Sequence, residues 1–153
     1  MYTFFKTVHL IGVVVLIGNV TITAYWKVLA DRTRDVRLIA HAQHGVTVAD
    51  WIFTLPAIIL VLVGGYGAAA VGGLPFNGPA WLVTGQLLFA VSGLIWVGIL
   101  VPIQIRQART ARSLTEDNAL PEQYLRDGRN WLIWGIAATV PLVAAIYVMV
   151  AKS

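Results

Sequence analysis

The chain has 153 residues, 58% of them hydrophobic and 12% charged, with a formal net charge of +4. A soluble domain carries about twice that charged fraction, so the composition is that of a membrane protein, and the length allows one compact bundle. The absence of cysteine excludes disulfides, thiolate metal sites and iron–sulfur clusters, and no basic stripe with interleaved aromatics marks nucleic acid as a partner.

Four runs are long enough to cross a hydrocarbon layer, which takes about 20 apolar residues. They cover about residues 2–29, 51–71, 81–103 and 131–151. Each is continuously apolar, without the alternation of a barrel strand. The predicted fold is therefore all-α: one domain, residues 1–153, built as a bundle of four transmembrane helices.

The first run is longer than the roughly 7–15 apolar residues of a signal peptide and reads as a mature helix. Within it His9, Gly12, Leu16, Asn19, Thr23 and Trp26 follow steps of three and four, which place them on one helical face. That face is a narrow polar stripe turned toward the bundle interior. An ionisable residue inside a membrane helix is a functional candidate by default, because its burial is costly. His9 can serve as an axial ligand, a proton relay or an interhelical hydrogen-bonding group. Lys6 stands one turn further out, within reach of the interface.

The connection after the first span is basic, with Arg32, Arg34 and Arg37. Thr33 is expected to cap a helix starting near Arg34, so that the second helix projects from the membrane. His41 and His44 lie on this projection and are read as surface or headgroup contacts, since a zinc site would need a further ligand. Arg residues here suit anionic lipid. The second span carries Gly64, Gly65 and Ala68, small residues that let helices approach closely. Pro56 is expected to kink it. GGLPFNGPA then forms a tight turn.

The third span contributes Gln86 and Ser92 to the interior and Gly93 to helix packing, and extends past Pro102 to about Arg112. SLTEDNALPEQY ends it. Pro121 suits the first turn of the last helix, in which Gly128 is a point of interruption and Pro141 a kink. Both long connections are basic, so the positive-inside rule places them in the cytoplasm. Both termini then face outward, and the second and third helices extend into the cytoplasm. With no acidic residue placed inside a span, a carboxylate relay is not expected. No metal site is expected, and no catalytic set is visible.

FFKTVHLIGVVV, FNGPAWLVTGQLLFAVSGLIWVGILVPIQIR, PEQYLRDGRNWLIWG and AAIYVMVAKS together resemble a bacterial family of predicted integral membrane proteins, domain of unknown function 2269. That resemblance implies a four-helix protein of the bacterial inner membrane. Locally, Lys6-Thr-Val-His9-Leu-Ile-Gly12-Val-Val is similar to the first helix of HemJ-type protoporphyrinogen oxidases and of CopD-like membrane proteins. In the oxidases the first-helix histidine is functionally important and b-type haem is associated. The likeness implies His9 as a haem ligand; Lys6 or a nearby Arg is then expected near a propionate. The alternative expectation is a non-enzymatic accessory or assembly subunit, as a homo-oligomer or within a larger membrane complex. Membrane lipid is the expected partner under either.

Overall fold

The computed structural model describes residues 1–114 and 119–152. It consists of four long helices: α1 (Tyr2–Thr33), α2 (Val36–Val71), α3 (Ala80–Ser113) and α4 (Glu122–Ala151). No strand occurs among the described residues. At 1.5 Å per residue these helices run about 45–54 Å, well beyond a hydrocarbon layer of about 30 Å. The expected extension of the second and third helices is present. α2 starts at Val36, about four turns before the predicted span, and α3 runs on to Ser113.

Local chemistry sets the ends. Thr33 closes α1 by donating to the Ala30 carbonyl at 2.7 Å. Arg34 takes a left-handed φ of 59° and reverses the chain. The cap of α2 is Asp35 and not Thr33 as the sequence suggested. Its Oδ1 accepts from the backbone N–H groups of Arg37 and Leu38, at 2.8 and 3.2 Å. A carboxylate two residues nearer the helix competes better for those orphan donors. Pro121 precedes α4, which runs through Gly128 and Pro141 without interruption. The predicted break before it falls partly on residues 115–118, outside the described residues.

Two π-helical turns occur, Asp50–Thr54 in α2 and Trp96–Leu100 in α3. Each sits just ahead of a proline, Pro56 and Pro102. A proline in a helix lacks the N–H and crowds the carbonyl four residues back. Widening the preceding turn relieves the clash, and the backbone N–H of Leu55 reaches the Asp50 carbonyl while that of Val101 reaches Trp96. Such π-turns concentrate at functional sites.

The helices form two hairpins. α1 packs along α2, and α3 along α4. The hairpins meet where 36–49 crosses 101–113 and where α1 touches α4. No Cα of residues 55–71 comes within 8 Å of one in 80–95 or in α4, so the hairpins diverge toward the 72–79 turn. Both termini lie at that turn end: the Tyr2 ring approaches Gly72, and Lys152 Nζ stands 5.9 Å from the Trp81 ring centroid. The arginine-rich connections lie at the opposite, basic end.

Within the second hairpin, Ser92 Oγ donates to the Ala138 carbonyl at 2.7 Å while buried. Interhelical hydrogen bonds in membranes contribute about 0.6 kcal/mol on average. Ser92→Ala should cost about that much, read as a small drop in the detergent-induced unfolding midpoint.

Candidate functional site: a polar core at the basic end

α1 carries Asn19, Thr23, Lys27 and Asp31 in steps of four, and α2 carries Gln43, Thr47, Asp50 and Thr54 in steps of four and three. Such steps keep each set on one helical face. α3 adds Gln104 and Gln107, and α4 adds Tyr124 and Trp131. Together they form a polar interior in the half of the bundle nearest the basic end.

At its membrane-ward limit, Asn19 Nδ2 donates to Thr54 Oγ1 at 2.9 Å. Thr54 in turn donates to Asp50 Oδ1 at 2.8 Å. Gln104 Nε2 donates to Asp50 Oδ2 at 2.9 Å. This chain joins α1, α2 and α3 and ties one hairpin to the other. The π-turn starts at Asp50, whose side chain holds this position. Sequence patterning placed Asp50 outside the spans and gave it no interior role. It lies where α2 passes from its projecting part to the predicted span, with Trp51 exposed on the outer face and the Asp50 side chain turned to the interior.

Further toward the basic end Lys27 is buried, with 1% of its surface exposed. Its Nζ donates to Asp31 Oδ2 at 2.9 Å and to Tyr124 Oη at 3.2 Å. Tyr124 Oη donates to Asp31 Oδ1 at 2.9 Å. The ammonium also lies 5.2 and 5.6 Å from the ring centroids of Tyr124 and Trp131, within cation–π range. Arg106 grips Asp127 with two nitrogens at 2.9 and 3.2 Å, which locks α3 to α4.

Between these groups lies a layer of glutamines. Ile39 and Ala111 share one apolar cluster, and Val46, Leu100 and Ile103 share another. Gln43 is midway between the first and second on α2, and Gln107 is midway on α3. The two amides thus occupy one level of an antiparallel helix pair. Gln43 is 1% exposed and Gln107 0%. No protein group within hydrogen-bond distance serves either amide, nor Trp131 Nε1. Each buried polar atom left without any partner costs about 1–3 kcal/mol.

His9 occupies a separate place, nearer the turn end. Its Nδ1 is 2.8 Å from the Val61 carbonyl. A carbonyl only accepts, so Nδ1 carries the proton, and the lone pair of the neutral ring is on Nε2. The ring lies over Gly65, where a Cβ would come within 3.0 Å of Nδ1. Gly64 receives the His9 backbone itself.

A family model described as Predicted integral membrane protein (DUF2269) matches residues 3–153. The chain belongs to this family. No curated protein and no solved structure matches it. As a DUF2269 member it is an integral membrane protein with four helices long and apolar enough to span.

Of the residues singled out by sequence, the structure brings His9 together with Gly64 and Gly65. It brings Asn19 to Thr54. Thr23 donates to the Asn19 carbonyl at 2.7 Å. Gln86 lies at the turn end, accepting from Tyr66 Oη at 3.1 Å and donating to the Phe76 carbonyl at 2.9 Å. Gly93 faces open space, and Ala68 accepts the N–H of Gly72. Lys6, His41 and His44 are exposed. Trp26, assigned to the inward stripe, is instead exposed, and Lys27 takes its place. After Asn19 the buried face continues in steps of four, which the alternating three-four pattern misplaced. Among the described residues no three His, Asp or Glu side chains converge as a metal site.

Proposed function

We propose that this protein is a b-type haem-associated redox protein of the bacterial inner membrane, with His9 as the axial ligand. The observation that carries the reading is the hydrogen bond from His9 Nδ1 to the Val61 carbonyl at 2.8 Å. Metal-ligating histidines characteristically donate their other ring nitrogen to such a group, which fixes tautomer and orientation. The donor set fits a group held through a single axial nitrogen. His41 and His44 lie on the projecting part of α2 and do not join His9. Lys6, one turn further toward the membrane surface, supplies a cation for a propionate. Bound haem would supply one-electron chemistry. The chain's own part is to hold the imidazole rigid against Gly64 and Gly65. The positive-inside rule supports placing the basic end in the cytoplasm.

The test is an absorption spectrum of protein produced with ample haem and purified in mild detergent, oxidised and then dithionite-reduced. The expected result is a Soret band with sharp reduced α and β bands, absent in His9→Ala. A featureless spectrum in folded protein ends the haem reading.

A second reading is favoured by the divergence of the hairpins. A four-helix unit whose halves separate toward the turn end leaves helical faces available to another membrane segment. It describes an accessory or assembly subunit, as a homo-oligomer or within a larger complex. Colourless protein with a defined stoichiometric partner after mild solubilisation would support it, and a monodisperse monomer would oppose it.

A further inference from the structure

The glutamine layer asks for an occupant. Two fully buried amides face each other's level across α2 and α3, and their four polar atoms, with Trp131 Nε1 in the adjoining apolar cluster, have no protein partner. Left so, the sum would rival the net stability of a domain of this size. Natural proteins satisfy such groups with ordered water where the site is polar and has room.

One observation shows room beside the layer, and a second shows which groups it joins. A crevice of about 70 Å³ between α2 and α3 is lined by Gln43, His44, Thr47 and Arg112 among others. That is space for about two waters at roughly 30 Å³ each. On the other side of the layer Gly128 has no side chain. A Cβ there would meet Gln107 Nε2 at 3.4 Å and Asp31 Oδ2 at 3.5 Å. A donor lacking a partner and a carboxylate oxygen thus both face the bare Gly128 backbone, where α1, α3 and α4 meet. The layer also continues toward the membrane. Gln104, one turn from Gln107, donates to Asp50 Oδ2, and Thr47 and Asp50 follow Gln43 along the same face of α2.

We propose that the Gln43–Gln107 layer is a hydrated site, in which internal water bridges the amides to Asp31 and connects Asp50 to the aqueous phase at the basic end. Water fits the chemistry better than an ion. The layer offers free donors and free acceptors together, and Lys27, the one buried cation among the described residues, is already paired with Asp31. The consequence is a hydrogen-bonded entry, from the crevice beside His44 and Arg112 inward to Asp50, whose carboxylate ties α2 to α3. This inference stands apart from the haem reading, since it involves neither His9 nor any bound group.

The cysteine-free chain makes the test direct. Single substitutions Gln43→Cys, Gln107→Cys and Asp50→Cys are made in the full protein in nanodiscs and treated with a small water-soluble thiosulfonate. A thiol reacts as its thiolate and so needs water. Ile39→Cys and Val46→Cys, equally buried on α2 and also large-to-small changes, are the references. Gln43→Cys and Gln107→Cys should react at least tenfold faster than the references. Asp50→Cys should react as well, and adding Gln43→Leu with Gln107→Leu should slow it at least tenfold. Equal rates at glutamine and reference positions overturn the proposal, as does an Asp50→Cys rate unaffected by the leucines. Should a variant fail to fold, the unaltered protein decides. Its Gln43 and Gln107 side-chain amide hydrogens should show magnetisation transfer with water by NMR, and none at either position overturns the proposal.

Discussion

Asp31→Asn should destabilise the folded protein by about 3–5 kcal/mol, the range for breaking a buried ion pair from one side. The reason lies in the asymmetry of the pair. Lys27 has 1% of its side chain exposed, and Asp31 has 23%. Removing the carboxylate charge leaves an ammonium in the bundle with neutral partners alone: the asparagine amide oxygen, Tyr124 Oη and two aromatic faces. Removing the ammonium by Lys27→Met is milder. Asp31 then keeps the Tyr124 hydroxyl at 2.9 Å and retains some contact with water. The double variant Lys27→Met with Asp31→Leu should recover most of the loss, because apolar replacement of a buried pair is often neutral or better. Reversible unfolding by increasing SDS in mixed micelles measures all three. Equal, small effects of the two single changes would mean that the Lys27 stem reaches the interface by snorkelling, and the buried assignment would fall.

The membrane class, the four helices and their order were legible in the sequence because continuous apolar runs of this length have few other solutions. The projecting parts of α2 and α3 were legible from residual apolar periodicity beyond the charged residues. The polar core was not. Its signal exists, as the steps Asn19–Thr23–Lys27–Asp31 and Gln43–Thr47–Asp50–Thr54. Reading Trp51 as the start of a span divided the second of these at the point where the helix is continuous. Trp26 competed with Lys27 for the inward face of α1, and an aromatic residue one position away from a lysine is ordinary at either site. The two π-turns were beyond periodicity altogether. The prolines were visible, but whether the turn ahead of a proline widens, as it does before Pro56 and Pro102, depends on packing that no single sequence states. Pro141, inside an unbroken α4, shows that the same residue type does not decide alone.

The two sets of features divide the labour of the bundle. The turn-end half is held within each hairpin by small residues and by an interhelical hydrogen bond, His9–Val61 in one and Ser92–Ala138 in the other, and the Tyr66–Gln86 bond spans the two hairpins there. The basic-end half is held across the hairpins by Asp50–Gln104 and Lys27–Asp31–Tyr124, and within the second hairpin by Arg106–Asp127. A polar interior is costly in a membrane, so its concentration at one end, next to a crevice and the basic surface, places the chemically capable groups where water can reach them. His9 alone stands at the other end, inside the tighter of the close approaches.

That approach yields the second large effect. Gly64→Ala should cost about 1–3 kcal/mol, as overpacking of a filled contact does. A Cβ at Gly64 would meet the His9 backbone nitrogen, with His9 Cα at 2.7 Å and the Phe5 carbonyl at 2.8 Å. All three are backbone atoms, so no rotamer change can relieve them. α1 must retreat until these distances reach ordinary contact near 3.4 Å or more. The opposite side of the interface permits no compensating tilt, because a Cβ at Gly12 would already lie 2.8 Å from the Val61 nitrogen and 3.0 Å from the Ala57 carbonyl. Retreat also pulls His9 from the Val61 carbonyl, so properties that depend on the His9 imidazole should change along with stability. The control is Gly135→Ala on α4, where a Cβ meets nothing within 4 Å. There the alanine should be neutral or stabilising by up to about 1 kcal/mol through helix propensity. Unfolding midpoints of the two variants in the same micelles make the comparison, and matching midpoints would show that α1 and α2 do not meet at Gly64.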